Sequence, residues 1–144
     1  MLGIVITGHG HFASGLLQAV EQVVGRQPQC CAVDFPEGIS TQQLLVSLEA
    51  ACTACDSGEG IIILSDLLGG SPFRQAAQLA IANPCYEVIA GTNMQLAVEM
   101  MLDREGMTLE TFRDTALECG RRGLTSLWHE QQKRGYDSPN LDGI

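Results

Sequence analysis

I-I-I-L-S-D-L-L-G-G-S-P-F, residues 61–73, is the stretch that decides the fold of this chain. Its four leading apolar residues show no polar alternation, which predicts a strand covered on both faces in a parallel sheet. The strand leads to Asp66, a glycine pair, Ser71 as a predicted helix N-cap and Pro72 as the first helical residue. Amides at a helix start bind anions, and Gly70 would let a phosphate approach the backbone closely. We interpret the stretch as half of a phosphate-handling site; a plain strand-to-helix turn with a surface aspartate is the alternative.

The length of 144 residues predicts one domain with enough apolar content to bury a core. We place this domain at residues 1–130, and we expect residues 131–144, which are rich in polar residues, to form a loose tail. The formal net charge of −9 leaves no basic stripe for nucleic acid and no polybasic patch for a membrane. The sequence has no signal-like start, and no apolar run approaches the ~20 residues that cross a bilayer. We therefore expect a cytoplasmic protein.

The chain contains six cysteines, and two of them, Cys52 and Cys55, have a C-x-x-C spacing. No second ligand pair accompanies them, and they lie in a helical pattern. Because free cysteine commonly packs as a small hydrophobic side chain, we interpret both as buried and apolar rather than as a metal or redox site. We expect neither a metal nor a cofactor.

Predicted strands and helices alternate along the chain. Strands are predicted at residues 2–7, 30–35, 61–64 and 86–90, and helical patterns at residues 12–24, 44–51, 72–82, 96–101 and 109–119. A capping box at Ser40 and Gln43 precedes the second helix, and Thr108 can cap the fifth. Residues 123–128 are interpreted as a small edge strand. Alternation with short turns predicts a doubly wound, mainly parallel α/β sheet.

In the strand order 2-1-3-4, the first and third strands are neighbours and open a crevice at their carboxyl ends. His9 follows the first strand and Asp66 follows the third, and neighbouring strands are about 4.8 Å apart, so the two side chains can hydrogen-bond. An aspartate that accepts one ring N–H fixes the histidine tautomer and leaves a lone pair on the other nitrogen. We therefore predict that His9 is a phosphoacceptor oriented by Asp66, with Gly70 and Ser71 as phosphate-binding donors. An ordinary turn histidine is the alternative.

The remaining candidate residues carry less weight. His11 directly precedes the first helix, and we interpret it as a rim or cap contact rather than a second nucleophile. We expect His129 to be solvated. Arg74 either meets a phosphate or an acidic partner or is an ordinary surface arginine. Four methionines are interpreted as helix and core filling: Met94, Met100, Met101 and Met107.

Three motifs resemble the enzyme IIA domain of the mannose-type sugar phosphotransferase system, the branch for mannose, fructose, sorbose and N-acetylgalactosamine. They are I-V-I-T-G-H-G with A-S-G-L shortly after, D-L-L-G-G-S-P-F, and E-V-I-A-G-T-N-M, and the similarity covers residues 1–128. The resemblance implies that His9 is the phosphorylated histidine, Asp66 its orienting carboxylate and Ser71 a contact of the phosphoryl group. It also implies a flavodoxin-like strand order with an antiparallel edge strand exchanged in a homodimer.

The same resemblance implies a phosphotransferase component with protein partners. It would take phosphate from the histidine phosphocarrier protein and pass it to a IIB component, which serves a membrane IIC/IID permease. Some relatives continue into a fused IIB domain; because this chain ends at Ile144, we expect a separate IIB protein. A IIA domain hands phosphate to a protein and never meets the sugar, so its sequence does not name the sugar.

Other functions fit the sequence less well. A phosphoryl-donor subunit for dihydroxyacetone kinase shares the early histidine but lacks the full L-L-G-G-S-P-F segment. A response-regulator receiver needs an acidic pair after the first strand, where this chain has Gly8-His9-Gly10. Flavin- or nucleotide-binding modules are disfavoured because the sequence has no G-x-G-x-x-G after the first strand and no G-x-x-x-x-G-K-[ST]. Serine hydrolases are disfavoured because G-G-S-P is not the G-x-S-x-G motif. A non-catalytic flavodoxin-like binding module is the alternative hypothesis if His9 never carries phosphate.

Overall fold

Four parallel strands form the sheet in the computed structural model, which describes residues 1–134. The strands are β1 (Gly3–His9), β2 (Cys30–Phe35), β3 (Ile61–Ser65) and β4 (Tyr86–Ile89). Their order is β2-β1-β3-β4, and every pairing between them is parallel. The predicted doubly wound α/β sheet with the order 2-1-3-4 is confirmed.

The helices within residues 1–134 are α1 (Phe12–Val24), α2 (Thr41–Cys55), α3 (Ser71–Ala82), α4 (Met94–Asp103), α5 (Leu109–Gly123) and α6 (Leu127–Arg134). The predicted limits of α1 and the capping box of α2 are confirmed. None of these helices in the described part of the chain is both long and apolar enough to cross a membrane.

Helix α3 begins one residue earlier than predicted. Its N-cap is Gly70, whose backbone is extended at φ −72° and ψ 169°. The Gly70 carbonyl accepts the Arg74 N–H at 2.9 Å. The prediction of Ser71 as the N-cap is therefore wrong by one position, because glycine can take the cap conformation without a side-chain hydrogen bond. Ser71 is the first residue of the helix, and Pro72 still lies in its first turn.

Strand β3 lies at the centre of the core, since all five of its residues are buried. Ile62 and Leu64 belong to one buried cluster, which includes residues of α1, α4 and α5. Ile61 and Ile63 belong to a second cluster with residues of α2 and α3. Each fully buried side chain of this kind contributes about 1.5–3 kcal/mol relative to exposure. Helices therefore cover both faces of the sheet, which explains why β3 is apolar without alternation.

Residues 123–128 do not form the predicted edge strand. Helix α5 continues to the start of this segment, and α6 begins at its end. Ser126 starts α6, because its Oγ accepts the His129 N–H at 3.1 Å and its carbonyl accepts the Glu130 N–H at 3.0 Å. A strand needs hydrogen-bonded neighbours for its backbone groups, and no described strand lies beside this segment. The capping signal at Ser126 therefore prevails over the apolar residues around it.

Helix α6 also includes residues 131–134, which the sequence assigned to a loose tail. Lys133 Nζ lies 3.4 Å from Glu130 Oε2, one helical turn earlier, and this pair supports the continued helix. The expectation of a loose tail is corrected for these four residues. The rest of the predicted tail, residues 135–144, lies outside the described residues, and the division into a domain and a tail stays a prediction.

Candidate functional site

The carboxyl ends of β1 and β3 bring His9 and Asp66 together. Thr7 pairs with Ser65 in the sheet, and His9 and Asp66 lie just beyond this pair. The His9 ring Nδ1 is 2.8 Å from Asp66 Oδ2, and the His9 backbone N–H donates to the same oxygen at 2.8 Å. The contact predicted from the strand order is therefore present. The His9 side chain is 48% exposed and that of Asp66 16%, so the ring is accessible while the carboxylate is shielded.

The charge state of Asp66 fixes the histidine tautomer. Burial raises the pKa of Asp66, but hydrogen bonds from the His9 backbone and ring outweigh burial and hold the pKa below its ordinary value. A backbone hydrogen bond from Leu67 lowers the pKa of Asp66 further. The other carboxylate oxygen of Asp66, Oδ1, is buried and has no hydrogen-bond partner of normal geometry among the described residues. An ionised carboxylate only accepts hydrogen bonds, so Nδ1 of His9 carries the proton and Nε2 keeps its lone pair.

Backbone contacts from the loop after β4 hold the end of β3 in place. The Gly91 N–H donates to the Asp66 carbonyl at 2.6 Å, and the Thr92 N–H donates to the Ser65 carbonyl at 3.1 Å. The Ser65 hydroxyl donates to the Ile89 carbonyl at 3.0 Å. These three hydrogen bonds therefore connect the end of β3, and Asp66 with it, to the end of β4 and the loop that follows.

Two glycines, Gly8 and Gly70, allow their neighbours in the site to approach the backbone closely. A Cβ atom at Gly70 would lie 2.7 Å from His9 Cε1, so the ring lies directly against the start of α3. A Cβ atom at Gly8 would lie 2.9 Å from Asp66 Cγ and 2.4 Å from Phe12 Cδ1. Because real Cβ contacts are not this short, any larger residue at either position would have to displace its neighbours. Both glycines are thus part of the site.

The start of α3 supplies donors next to the ring. The first N–H groups of a helix have no intrahelical partner, and they favour an anion. The Gly70 N–H already donates to the Leu67 carbonyl at 3.1 Å, so its role as a phosphate donor stays a prediction. The absence of a side chain at Gly70 leaves room for the ring. Ser71 contributes a hydroxyl and a backbone N–H at the first helical position. Arg74, one turn further, is exposed.

The other sequence candidates lie away from the His9–Asp66 pair or have other partners. His11 Nδ1 is 3.0 Å from Asp34 Oδ2. His129 is exposed in α6, as expected, with Nδ1 2.5 Å from Ser126 Oγ. Burial raises the pKa of Cys52 and of Cys55 to about 12, which fits their interpretation as buried thiols. The described residues contain no group of three or more metal-binding side chains that could hold an ion.

Sequence reasoning missed the contribution of β2 to the site. Phe35 ends this strand, and its ring centroid lies 6.1 Å from that of His9 in an edge-on arrangement. Asp34, one residue earlier, contacts His11 in the turn after β1 and Ser14 in α1. A carboxylate at the end of a strand next to β1 is the signal that would have pointed to it, by the logic used for Asp66.

Sequence reasoning also missed Arg104, which is 1% exposed. Its guanidinium donates to the carbonyls of Leu2, Pro28 and Gln29. These residues precede β1 and β2, at the amino edge of the sheet, so Arg104 stabilises the fold away from His9. Its sequence context, Asp-Arg-Glu-Gly, is typical of a surface turn and gave no signal of burial.

Fold and site together define a class: a doubly wound α/β protein with an accessible histidine that contacts a carboxylate beside a helix N-terminus. The family model described as "PTS system fructose IIA component" matches residues 3–117. The chain therefore belongs to the mannose-type family of IIA components of the sugar phosphotransferase system (PTS), whose members are phosphotransfer proteins. The family resemblance found in the sequence motifs is confirmed.

Individual relatives agree with this assignment. The chain is 42% identical over 133 residues to the "Putative phosphotransferase enzyme IIA component YadI" of Escherichia coli (strain K12), covering 92% of this chain and 91% of that protein. It is 31% identical over 139 residues to the "PTS system mannose-specific EIIAB component" of the same strain, covering 96% of this chain but only 43% of that longer protein. Among solved structures, the phosphotransferase system component EIIA from Streptococcus agalactiae has a TM-score of 0.83 at 26% identity, covering 90% of this chain and 99% of that one.

Proposed function

We propose that this chain is a phosphocarrier that accepts a phosphoryl group on Nε2 of His9 from the histidine phosphocarrier protein and passes it to a IIB component for sugar uptake. The observation that carries the proposal is the 2.8 Å contact between His9 Nδ1 and Asp66 Oδ2. This contact leaves Nε2 as the nitrogen with a free lone pair on a ring that is accessible from solvent.

The transfer proceeds by in-line displacement. The Nε2 lone pair forms a bond to phosphorus while the bond from phosphorus to the donor's phosphohistidine nitrogen breaks, and the donor nitrogen keeps that electron pair. The His9 ring gains positive charge as the new bond forms, and the Asp66 carboxylate stabilises this charge. Transfer to IIB is the reverse reaction with a different acceptor.

The start of α3 supplies stabilisation for the phosphoryl oxygens in this proposal. In this proposal, the Ser71 hydroxyl and the free N–H groups at the start of α3 donate to the phosphoryl oxygens. Gly70 permits the ring to lie against these donors, since a Cβ atom there would meet His9 Cε1 at 2.7 Å. Positioning and electrostatic stabilisation are the main contributions that phosphoryl transfer asks of a protein.

The proposal extends to the assembly. A IIB protein receives the phosphoryl group and serves a membrane IIC/IID permease, and the chain acts as a homodimer. The edge strand predicted at residues 123–128 no longer supports the dimer, because this segment joins two helices. Support comes from the family and from β4, which pairs only with β3 among the described strands and leaves one edge open. Sedimentation at micromolar concentration distinguishes a dimer from a monomer.

Intact-mass measurement tests the phosphocarrier role. The protein is incubated with phosphoenolpyruvate, the general phosphotransferase enzyme and the histidine phosphocarrier protein, and we expect it to gain one acid-labile, base-stable phosphoryl group. His9→Ala abolishes this gain, while His11→Ala and His129→Ala serve as matched controls and largely retain it. Phosphorylation of His9→Ala at the normal level contradicts the proposal.

A further inference from the structure

The His9 loop, residues 8–11, comprises the last two residues of β1 and the two residues that lead to α1. Residues 8–11 read Gly-His-Gly-His, and glycine loses more backbone freedom on ordering than any other residue. Gly10 has a φ of +56°, the left-handed region that glycine takes readily. Asp66 holds one side of this loop through His9 itself. A second set of contacts is needed to fix the other side.

Asp34, near the end of β2, provides these contacts. Its Oδ2 is 3.0 Å from His11 Nδ1 and accepts the Ser14 hydroxyl at 2.6 Å. Its Oδ1 accepts the Ser14 backbone N–H at 2.9 Å. One carboxylate therefore joins the end of β2, the residue that closes the His9 loop, and the first turn of α1.

The backbone adds a second connection at the same place. The Gly10 N–H donates to the Phe35 carbonyl at 2.8 Å, and the Phe35 N–H donates to the Gly10 carbonyl at 3.2 Å. The Phe35 ring packs edge-on against the His9 ring at a centroid distance of 6.1 Å. The end of β2 thus contacts both His9 and the residue that follows it.

Exposure indicates what the Asp34 contacts achieve. The His11 side chain is 81% exposed, whereas that of Asp34 is 21% exposed. An imidazole this exposed can hydrogen-bond to water, so its contact with Asp34 is not required to satisfy a buried group. Burial raises the pKa of Asp34, but hydrogen bonds from Ser14 and His11 outweigh it and hold the pKa below its ordinary value, so the carboxylate is ionised and accepts all three bonds.

We propose that Asp34 is a positioning residue for phosphoryl transfer at His9. By holding His11 and the start of α1, Asp34 fixes the far end of the loop, so that the His9 ring stays aligned between Asp66 and the start of α3. Asp34 acts through these contacts and does not touch the phosphoryl group. The inference rests on the proposed function, since it concerns the rate at which His9 accepts and donates phosphate.

A simpler role for Asp34 would be that of a helix cap for α1, with an effect on stability alone.

Positioning of the loop by Asp34, which we call the clamp, depends on hydrogen bonds and not on charge. An asparagine in the same place can still accept the Ser14 N–H and can donate to His11 Nδ1. Alanine removes all three bonds. Asp34→Ala and Asp34→Asn therefore separate the clamp from a purely electrostatic effect on His9.

The matched control for lost capping is Thr108→Ala. Thr108 caps α5 by accepting the Thr111 N–H at 3.1 Å, and it lies near Glu59, Pro84 and Cys85, which precede β3 and β4 at the opposite edge of the sheet. Losing a capping hydrogen bond lowers the melting temperature in both variants. Only Asp34→Ala removes contacts of the His9 loop.

The experiment combines rapid-quench transfer from the phosphorylated phosphocarrier with hydrogen exchange in the unphosphorylated protein. We expect Asp34→Ala to lower the maximal transfer rate about tenfold, since loosened alignment slows transfer without abolishing it. The phosphocarrier concentration at half-maximal rate stays unchanged, and the His9 backbone amide exchanges faster. Asp34→Asn restores the rate to within about threefold of the wild type, and Thr108→Ala leaves both the rate and the exchange of His9 unchanged.

Different failures have different meanings. A wild-type protein that takes up no phosphate on His9 overturns the proposed function. If the wild type is phosphorylated on His9 but Asp34→Ala shows a normal maximal rate and normal exchange of the His9 amide, only the positioning role is overturned. Equal losses in Asp34→Ala and Thr108→Ala overturn it too, since they would trace to stability.

Discussion

Replacing Asp66 with asparagine keeps the shape of the side chain and removes the charge that faces the His9 ring. In the wild type, Asp66 Oδ2 accepts both the His9 backbone N–H and the ring Nδ1–H, each at 2.8 Å. An asparagine oxygen in this position can keep both hydrogen bonds. It does not offset the positive charge that the ring gains as Nε2 bonds to phosphorus.

The size of the effect follows from the geometry of this contact. Hydrogen bonds to a charged group contribute about 1.5–3 kcal/mol, more than neutral ones, and the charge pair adds to this at close range. Because the His9 side chain is 48% exposed, solvent screens part of the interaction. We expect a loss of about 2–4 kcal/mol in transition-state stabilisation, which slows transfer about 30- to 1000-fold. The loss stays below the about 10⁴-fold that a wrong histidine tautomer produces in a buried serine-protease triad.

Stability changes little in the same variant. Asp66→Asn retains hydrogen-bond acceptors at the end of β3, so the free energy of unfolding falls by about 1 kcal/mol. That loss lowers the melting temperature by only a few degrees, about 2–6 °C. Asp34→Asn is the matched control, because it also neutralises a carboxylate that contacts a histidine of the same loop, and we expect it to transfer phosphate at nearly the wild-type rate.

Rapid quench measures the rate of transfer in both directions, from the phosphocarrier to His9 and from His9 to IIB. The stabilising role of the Asp66 charge requires both rates to fall in Asp66→Asn while thermal unfolding stays close to that of the wild type. Unchanged rates would show that this charge does not assist transfer at His9, despite the 2.8 Å contact. A large drop in melting temperature would instead assign the loss to folding.

Two further predictions follow from the same contacts. Gly70→Ala places a Cβ atom 2.7 Å from His9 Cε1, so the ring shifts and transfer slows at least about tenfold. The control is Gly15→Ala, where a Cβ atom meets nothing within 4 Å, and it leaves the transfer rate unchanged. Equal transfer rates in the two variants would contradict the close approach of Gly70 and His9. The folded-state pKa values of Asp34 and Asp66 lie below their ordinary values, so their stabilisation is present above the unfolded-state pKa of about 3.9 and is lost as pH falls through the lower folded values. The melting temperature should fall as the pH drops below about 5, more steeply in the wild type than in an Asp34→Asn, Asp66→Asn double variant, and parallel profiles would count against this linkage.

The sequence predicted the parts of the fold that depend on local pattern and burial. The apolar run that begins at Ile61 identified a central strand, because a strand covered on both faces contains no polar alternation. Helix α1 was predicted at its observed limits because Phe12 begins its apolar pattern and Gly25 ends it. The contact between His9 and Asp66 followed from strand order alone, since the carboxyl ends of neighbouring parallel strands meet at one edge.

The errors arose where local signals compete or where tertiary contacts decide. Residues 123–128 contain apolar residues suited to a strand, but Ser126 caps a helix there. Ser71 is a good N-cap residue, yet Gly70 takes that position, since glycine can adopt the cap conformation without a side-chain hydrogen bond. Asp34 was missed although it lies near the carboxyl end of a strand next to β1, where the strand order that paired His9 with Asp66 also brings it near His11 and Ser14.

The ring nitrogen of His9 that carries the phosphoryl group depends on which nitrogen Asp66 contacts. Nuclear magnetic resonance of the phosphorylated, ¹⁵N-histidine-labelled protein distinguishes phosphorus on Nε2 from phosphorus on Nδ1. Because Asp66 holds Nδ1 at 2.8 Å, the account predicts phosphorus on Nε2 of His9, with Nδ1 still protonated. Phosphorus on Nδ1 of His9, or on a different histidine, would contradict it.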